Sequence, residues 1–207
     1  MPQRVSRRAR TDLRFVGRIA GVGTTSGVRI VVGMWNDSPL GAFADVMIEQ
    51  GDGHRILLAP TSDVADFVAA TYDFDEVRVV PVAWKKIDGG IGVTAGDLHL
   101  DLTIGAISGL GMLLRAVPRA FATMPEWLRL IDPVARILVP GSATAGTAGR
   151  GRREYYGVTV ARHIDALSGR WGEQDLGALA RLEPPVRFGF GSAPAAPSLV
   201  DVTTTIR

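Results

Sequence analysis

The sequence has no cysteine, which closes disulfide frameworks, thiolate metal sites and cysteine nucleophiles. Histidine is scarce: His54, His99 and His163 lie 45 and 64 residues apart, without metal-ligand spacing. No metal is therefore expected, and no motif for another cofactor is visible. Lysine is scarcer still. Of the 23 basic residues only Lys85 and Lys86 are not arginine, and against 21 acidic residues the net charge is +2. So small a surplus makes no electrostatic case for nucleic acid, and no such partner is expected. Long apolar runs are also missing. The uncharged stretch Leu102–Leu114 has 13 residues, where a spanning helix needs about 20, so no transmembrane segment is expected. Neither a Walker A loop nor a G-x-S-x-G nucleophile elbow occurs.

What the 207 residues do contain, 46% of them hydrophobic, suits one compact domain with a sizeable core. The first ten residues, MPQRVSRRAR, hold four arginines and no acid. The segment behind them lacks the apolar run of a signal peptide, so residues 1–12 are expected to be a disordered basic arm on a cytoplasmic protein, with residues 13–207 as the domain.

Residues 13–60 alternate strand-like runs (LRFVGRIAGVG, VRIVVGMW, AFADVMIEQ, HRILLAP) with turn-like TTSG, NDSPLG and GDG, the pattern of a β meander. Val64, Phe67, Val68 and Thr71 then recur at helical spacing behind a Thr61 or Ser62 cap, which predicts one short helix. FDEVRVVPVAWKKI, Asp88-Gly89 and GIGVTAGDLHLDLTIG predict a long hairpin on a type I′ turn, with Ile87 facing Gly90, Arg78 facing His99 and Glu76 facing Asp101. Val77, Val79, Leu98 and Leu100 would form its core face. Residues 108–140 are apolar and interrupted by Pro118, Pro125 and Pro133, which fits short broken helices. GSATAGTAG should be a loop, REYYGVTVARHIDAL a strand, LGALARL a helical turn, and VRFGFG and LVDVTTTIR closing strands. The fold class expected is α+β and β-rich: a curved antiparallel sheet or barrel capped by short helices.

Several groups of residues invite a chemical role. Asp97, His99 and Asp101 alternate along one strand, so a histidine flanked by carboxylates could act as a base or rim a pocket. The plainer account makes them, with Arg78 and Glu76, a solvated cross-strand charge ladder. GVGTTSG follows a strand but precedes another strand, which removes the helix N-terminus that a dinucleotide would need. RFGFG lacks the companion strand of an RNA-recognition module. Arg150, Arg152 and Arg153 with Tyr155 or Tyr156 could hold an anion or a ring, although a basic loop entering a strand accounts for them equally.

Lys85-Lys86 is the sole lysine site, and lysine becomes a nucleophile when desolvation or a neighbouring cation lowers its pKa. The run PVAWKK, a Gly-rich turn and GDLHLDLTIG resemble the paired-lysine region of acetoacetate decarboxylase and its β-barrel relatives. The resemblance spans between a tenth and a fifth of the chain. It implies Lys85 as Schiff-base residue, Lys86 as the neighbour that perturbs it, and an acidic partner that matches no one position; Glu76 is the residue suggested for it.

The function expected first is binding of a small, largely apolar ligand in a barrel-like cavity under the helical cap. Trp84 and Tyr156 would be its walls, Arg78 and His99 its polar end, and Asp97 and Asp101 its rim. A Schiff-base lyase acting on a carbonyl acid through Lys85, with Arg78 holding the carboxylate, is the alternative. A peripheral membrane or assembly factor that uses the basic arm and the apolar helical segment comes third. Whether the protein is an enzyme, and its oligomeric state, stay open at this level.

Overall fold

The computed structural model describes residues 12–115, 145–148, 152–189 and 194–207. The fold is β-rich α+β, and the described residues form one curled sheet of 13 strands. Strands β1 (Leu13–Thr24), β2 (Arg29–Asp37), β3 (Phe43–Glu49) and β4 (Arg55–Ala59) form the expected meander. Helix α1 (Ser62–Ala69) follows, capped by the Thr61 side chain, which accepts a hydrogen bond from the Val64 amide at 3.3 Å; this satisfies one of the orphan donors of the first turn. α1 carries the chain across to β5 (Glu76–Val79), which pairs parallel to β4.

Next come β6 (Val82–Ile87), β7 (Gly90–Ala95), β8 (Leu98–Ile107), helix α2 (Gly109–Arg115), β9 (Ala145–Ala148) and the 20-residue β10 (Arg152–Trp171). Two short strands, β11 (Gln174–Asp175) and β12 (Leu179–Ala180), precede β13 (Ser198–Ile206). Across the sheet the order is β5-β4-β3-β2-β1-β13-β10-β8-β7-β6.

That order dictates the curl. β5 and β6 are the two outer strands, yet only Val80 and Pro81 separate them in the chain. From Val79 to Val82 the chain can span about 11 Å at most, so the far edges of the sheet must come together. Proline accounts for the break. Pro81 has no N–H to give a ladder, and the chain leaves β4 there, after the Val80 amide bonds the Ala59 carbonyl, to begin pairing with β7 at Val82.

The concave side of the curl is filled by the main core. Val22, Ile30, Met34, Ile48, Ile56, Leu98, Leu100 and Leu102 are buried there, with Trp84 and Trp171 packed at its margin. A second core lies on the outer face, where Val64, Ala65 and Val68 of α1 cover Leu57 and Ala59 of β4. Phe15, Trp35, Phe43 and Phe67 meet nearby, with ring centroids 5.1–6.4 Å apart.

The long hairpin differs from its sequence expectation. Ile87 does pair with Gly90 across Asp88-Gly89, but GIGVTAGDLHLDLTIG makes two strands, because Gly96-Asp97 turns the chain and Ala95 pairs with Leu98. His99 therefore faces Thr94 and Arg170, and Asp101 faces Gly92 and Ser168, not Arg78 and Glu76. A two-residue turn also flips the alternation. Ile91, Val93 and Ala95 share the core with Leu98, Leu100 and Leu102, whereas Val77 and Val79 on β5 are 44% and 54% exposed.

Elsewhere, Ala145–Ala148 pairs with β10 where a loop was expected, and Leu179–Ala180 is a short strand where a helical turn was expected. Residues 186–189 form no strand, although Val186 and Phe188 are buried. The basic arm up to residue 11 and the helical segment beyond Arg115 lie outside the described residues. Among those described, no helix is long and apolar enough to cross a membrane.

Candidate functional site

The outer face of β6, β7, β8 and β10 carries an open groove of about 650 Å³. Its floor is two cross-strand rows. Lys85, Gly92, Asp101 and Ser168 stand in register in one, and Ala83, Thr94, His99 and Arg170 in the next, with Asp175 of β11 opposite Arg170. The side chains alternate outward here because their neighbours Val93, Leu98 and Leu100 are drawn into the core.

Glycine makes the first row open. A β-carbon at Gly92 would sit 2.8 Å from Asp101 Oδ1 and 3.8 Å from Lys85 Cε, so the carboxylate and the lysine stem both lean over the bare backbone. The Arg170 guanidinium donates to the Gly172 carbonyl at 3.1 Å at the other end. The groove thus has a cation at each end, with Asp101, His99 and hydroxyls between them, and all of these side chains are exposed.

Of the residues singled out in the sequence, the groove brings together the side chains of Lys85, His99 and Asp101; Trp84 lies between Ala83 and Lys85 on β6, but its ring packs at the margin of the main core. Lys86 does not join them: it is opposite Ile91, on the face that turns toward the core. Asp97 is in the exposed β7–β8 turn, its carbonyl accepting from the Gly172 amide at 3.1 Å.

Glu76 and Arg78 lie on β5, at the seam where the curl closes. Arg78 Nε donates to Glu76 Oε1 at 2.7 Å, His54 Nε2 is 3.4 Å from Glu76 Oε2, and the Arg78 guanidinium is 5.9 Å from the Trp171 ring centre. The Arg78 hydrogen bond, seconded by His54, holds the Glu76 carboxyl below the usual range, and Glu76 in turn, with the charge of Asp97, raises Arg78. These groups are partly exposed, and the cluster is a hydrated ion-pair network of small energetic value.

Tyr156 is on a different part of the outer face. Its hydroxyl is 2.6 Å from that of Tyr72, which donates at 2.7 Å to Glu154 Oε1. Glu154 is 1% exposed, and among the described residues its Oε2 has no hydrogen-bond partner. Burial pushes its carboxyl up to about 7, against the lowering effect of the two tyrosines. Asp45, equally buried, accepts from Trp35 Nε1 at 3.0 Å, and desolvation raises it to about 6.

Sequence reasoning missed Ser168, Arg170, Glu154, Asp45 and Tyr72. Their positions on regular strands or in a turn give no local signal, and only the pairing of distant segments brings them into play. Among the described residues no group of three or more potential ligands could hold a metal ion.

No protein-family model matches the chain, and no curated protein matches it. Among solved structures the chain is similar to acetoacetate decarboxylase from Legionella pneumophila subsp. pneumophila str. Philadelphia 1, with a TM-score of 0.44 and 9% identity over 100% of this chain and 88% of that one. A likeness at that level assigns no residue a role.

Proposed function

We propose that the protein binds a small polar anion, a carboxylate or phosphate compound that also carries a hydroxyl or amino donor, in the groove across β6, β7, β8 and β10. The observation that carries this is the in-register row Lys85–Gly92–Asp101–Ser168 beside the row that ends in Arg170. Lys85 and Arg170 suit the anionic part, Arg170 with a planar fork of donors. Asp101 and His99 between them suit a donor on the same molecule. A largely apolar ligand in the concave interior is less well supported, since aliphatic side chains occupy that space among the described residues.

Titration of the labelled protein with a panel of small hydroxy acids, amino acids and phosphate esters, followed by NMR, tests the proposal. Shifts should cluster at Lys85, Thr94, His99, Asp101 and Arg170. Lys85→Ala and Arg170→Ala should each weaken binding about tenfold, the equivalent of about 1.4 kcal/mol. Binding that both variants leave intact would remove the groove as the site.

A Schiff-base lyase on a carbonyl acid is the second reading, favoured by one observation: Lys85 is the amine that faces the groove. Its assigned neighbour Lys86 points the other way, so the cation effect expected of the pair is not what would activate Lys85. Borohydride with a β-keto acid separates the two readings. A covalent mass increase at Lys85 supports the lyase, and reversible binding without an adduct supports the binding protein.

A further inference from the structure

A buried acid that takes no part in the groove sits where three segments meet. Glu154 on β10 is 1% exposed, receives a hydrogen bond from the Tyr72 hydroxyl, and among the described residues finds no partner for Oε2. Tyr72 lies just after α1, 82 residues away in the chain. It ties down more than itself: the next amide, Asp73, donates to the Phe188 carbonyl at 2.7 Å, and the Phe74 and Phe188 rings lie 5.6 Å apart. The Tyr72 hydroxyl also meets that of Tyr156 at 2.6 Å. Residues 72–74 thus join the α1–β5 connection to β10 through the Tyr72 hydroxyl and to the segment around Phe188 through the Asp73 amide and the Phe74 ring.

The groups facing Glu154 provide no cation among the described residues. The α1–β5 connection gives Tyr72, β10 gives Tyr156, and β13 gives the uncharged Thr204 and Ile206 in register with Tyr156 and Glu154. Thr204 Oγ1 is itself buried without a partner among the described residues. Asp45 of β3 is a further acid near the cluster, whose charge acts on Tyr156. A carboxylate charge in such a place is uncompensated and costly, while a neutral carboxyl is tolerated.

We infer that Tyr72, Glu154 and Tyr156 form a proton-operated latch, in which the neutral Glu154 carboxyl holds the α1–β5 connection and the Phe188 segment onto β10, and loss of its proton loosens them. The device is independent of the groove, which lies on β6, β7, β8 and the other end of β10.

Burial raises Glu154 from 4.5 to about 7 in the closed form, and an opened form returns it to water and to its ordinary value. The proton is then held by the closed form alone between these limits, so opening grows as pH rises through that window and levels off above it. Hydrogen exchange at the Tyr72 and Asp73 amides of the full chain, expressed as protection over the intrinsic rate, reads this directly. Protection should fall about tenfold per pH unit between pH 5 and 7 in the natural chain and in Asp45→Asn, and stay level in Glu154→Gln. Protection that does not change with pH in the natural chain, or that falls equally in Glu154→Gln, overturns the latch. Should Glu154→Gln fail to fold, carbon-13 NMR of the Glu154 carboxyl in the natural chain decides the matter. A midpoint near neutrality supports the latch and one near 4 overturns it.

Discussion

The guanidinium of Arg18 on β1 lies 4.7 Å from the centre of the Trp84 ring on β6, although β13, β10, β8 and β7 separate these strands along the sheet. The contact is a chord across the curl. Trp84 adds to the margin of the main core, so its loss removes apolar burial as well as the cation–π contact. Trp84→Ala should cost about 2–3 kcal/mol and Arg18→Ala about 1 kcal/mol, measured by urea denaturation at constant m-value. Equal small effects from both would mean that the curl is held by its edges alone.

Arg29 and Glu49, opposite each other on β2 and β3, form a buried cross-strand pair. Their side chains are 4% and 0% exposed with N···O 3.2 Å, and Arg29 also donates to the carbonyls of Gln50 and Pro184 at 3.0 and 2.8 Å. Glu49 accepts the Arg187 amide at 2.6 Å. Removal of one partner strands a buried charge, so Glu49→Ala should cost about 3–5 kcal/mol. Chemical denaturation checks this; a loss under 1 kcal/mol, roughly what a surface pair contributes, would show that water replaces the carboxylate.

Much of this architecture was legible in the chain because its cues are local. Thr61 announces α1, Asp88-Gly89 sets the Ile87–Gly90 register, and the alternation in residues 13–59 gives the meander. The failures are local too, at Pro81 and Gly96-Asp97, each a breaker embedded in a β-rich run. Every face downstream depends on the parity those breakers set, which is why Val77 and Val79 were expected in the core and Arg78 beside His99. The candidate site was half legible. His99, Asp101 and Lys85 stood out as ionisable groups on strands, but Arg170 and Ser168 join them through a β8–β10 pairing with two register shifts. No spacing in the chain encodes that pairing.

Stability should vary with pH on two limbs. Asp45 is raised from 3.8 to about 6 and Glu154 from 4.5 to about 7, both chiefly by burial. Each contributes fully below its unfolded value and loses that contribution as pH rises through the folded one. Asp75 and Glu76 are lowered by hydrogen bonds from Arg55 and Arg78, so their contributions exist above the ordinary carboxylate range and fade as pH falls below about 4. Denaturation midpoints should therefore peak between about pH 4 and 5, decline toward pH 7 and then level off. The double variant Asp45→Asn, Glu154→Gln should flatten the declining limb, which is worth about 5 kcal/mol in the natural chain. A natural chain that gains stability from pH 5 to 7 would show that the two buried acids do not govern this window.

Gly92 offers a test of the groove that leaves its charged groups in place. A methyl group there would come within 2.8 Å of Asp101 Oδ1 and 3.8 Å of Lys85 Cε, side-chain atoms that can move aside, so the strand pairing should survive. Contrast Gly17, where a β-carbon would stand 2.1 Å from the Met34 carbonyl oxygen, a backbone atom with no such freedom. Gly92→Ala should change stability by less than about 1 kcal/mol, whereas Gly17→Ala should cost about 3 kcal/mol or more. If the anion binds across Gly92, the alanine methyl displaces Asp101 and narrows the gap beside Lys85, and affinity should fall about tenfold, or about 1.4 kcal/mol. Unchanged affinity in a folded Gly92→Ala protein would place any ligand away from the Lys85–Asp101 row and leave the Arg170 end as the one part of the groove able to hold it.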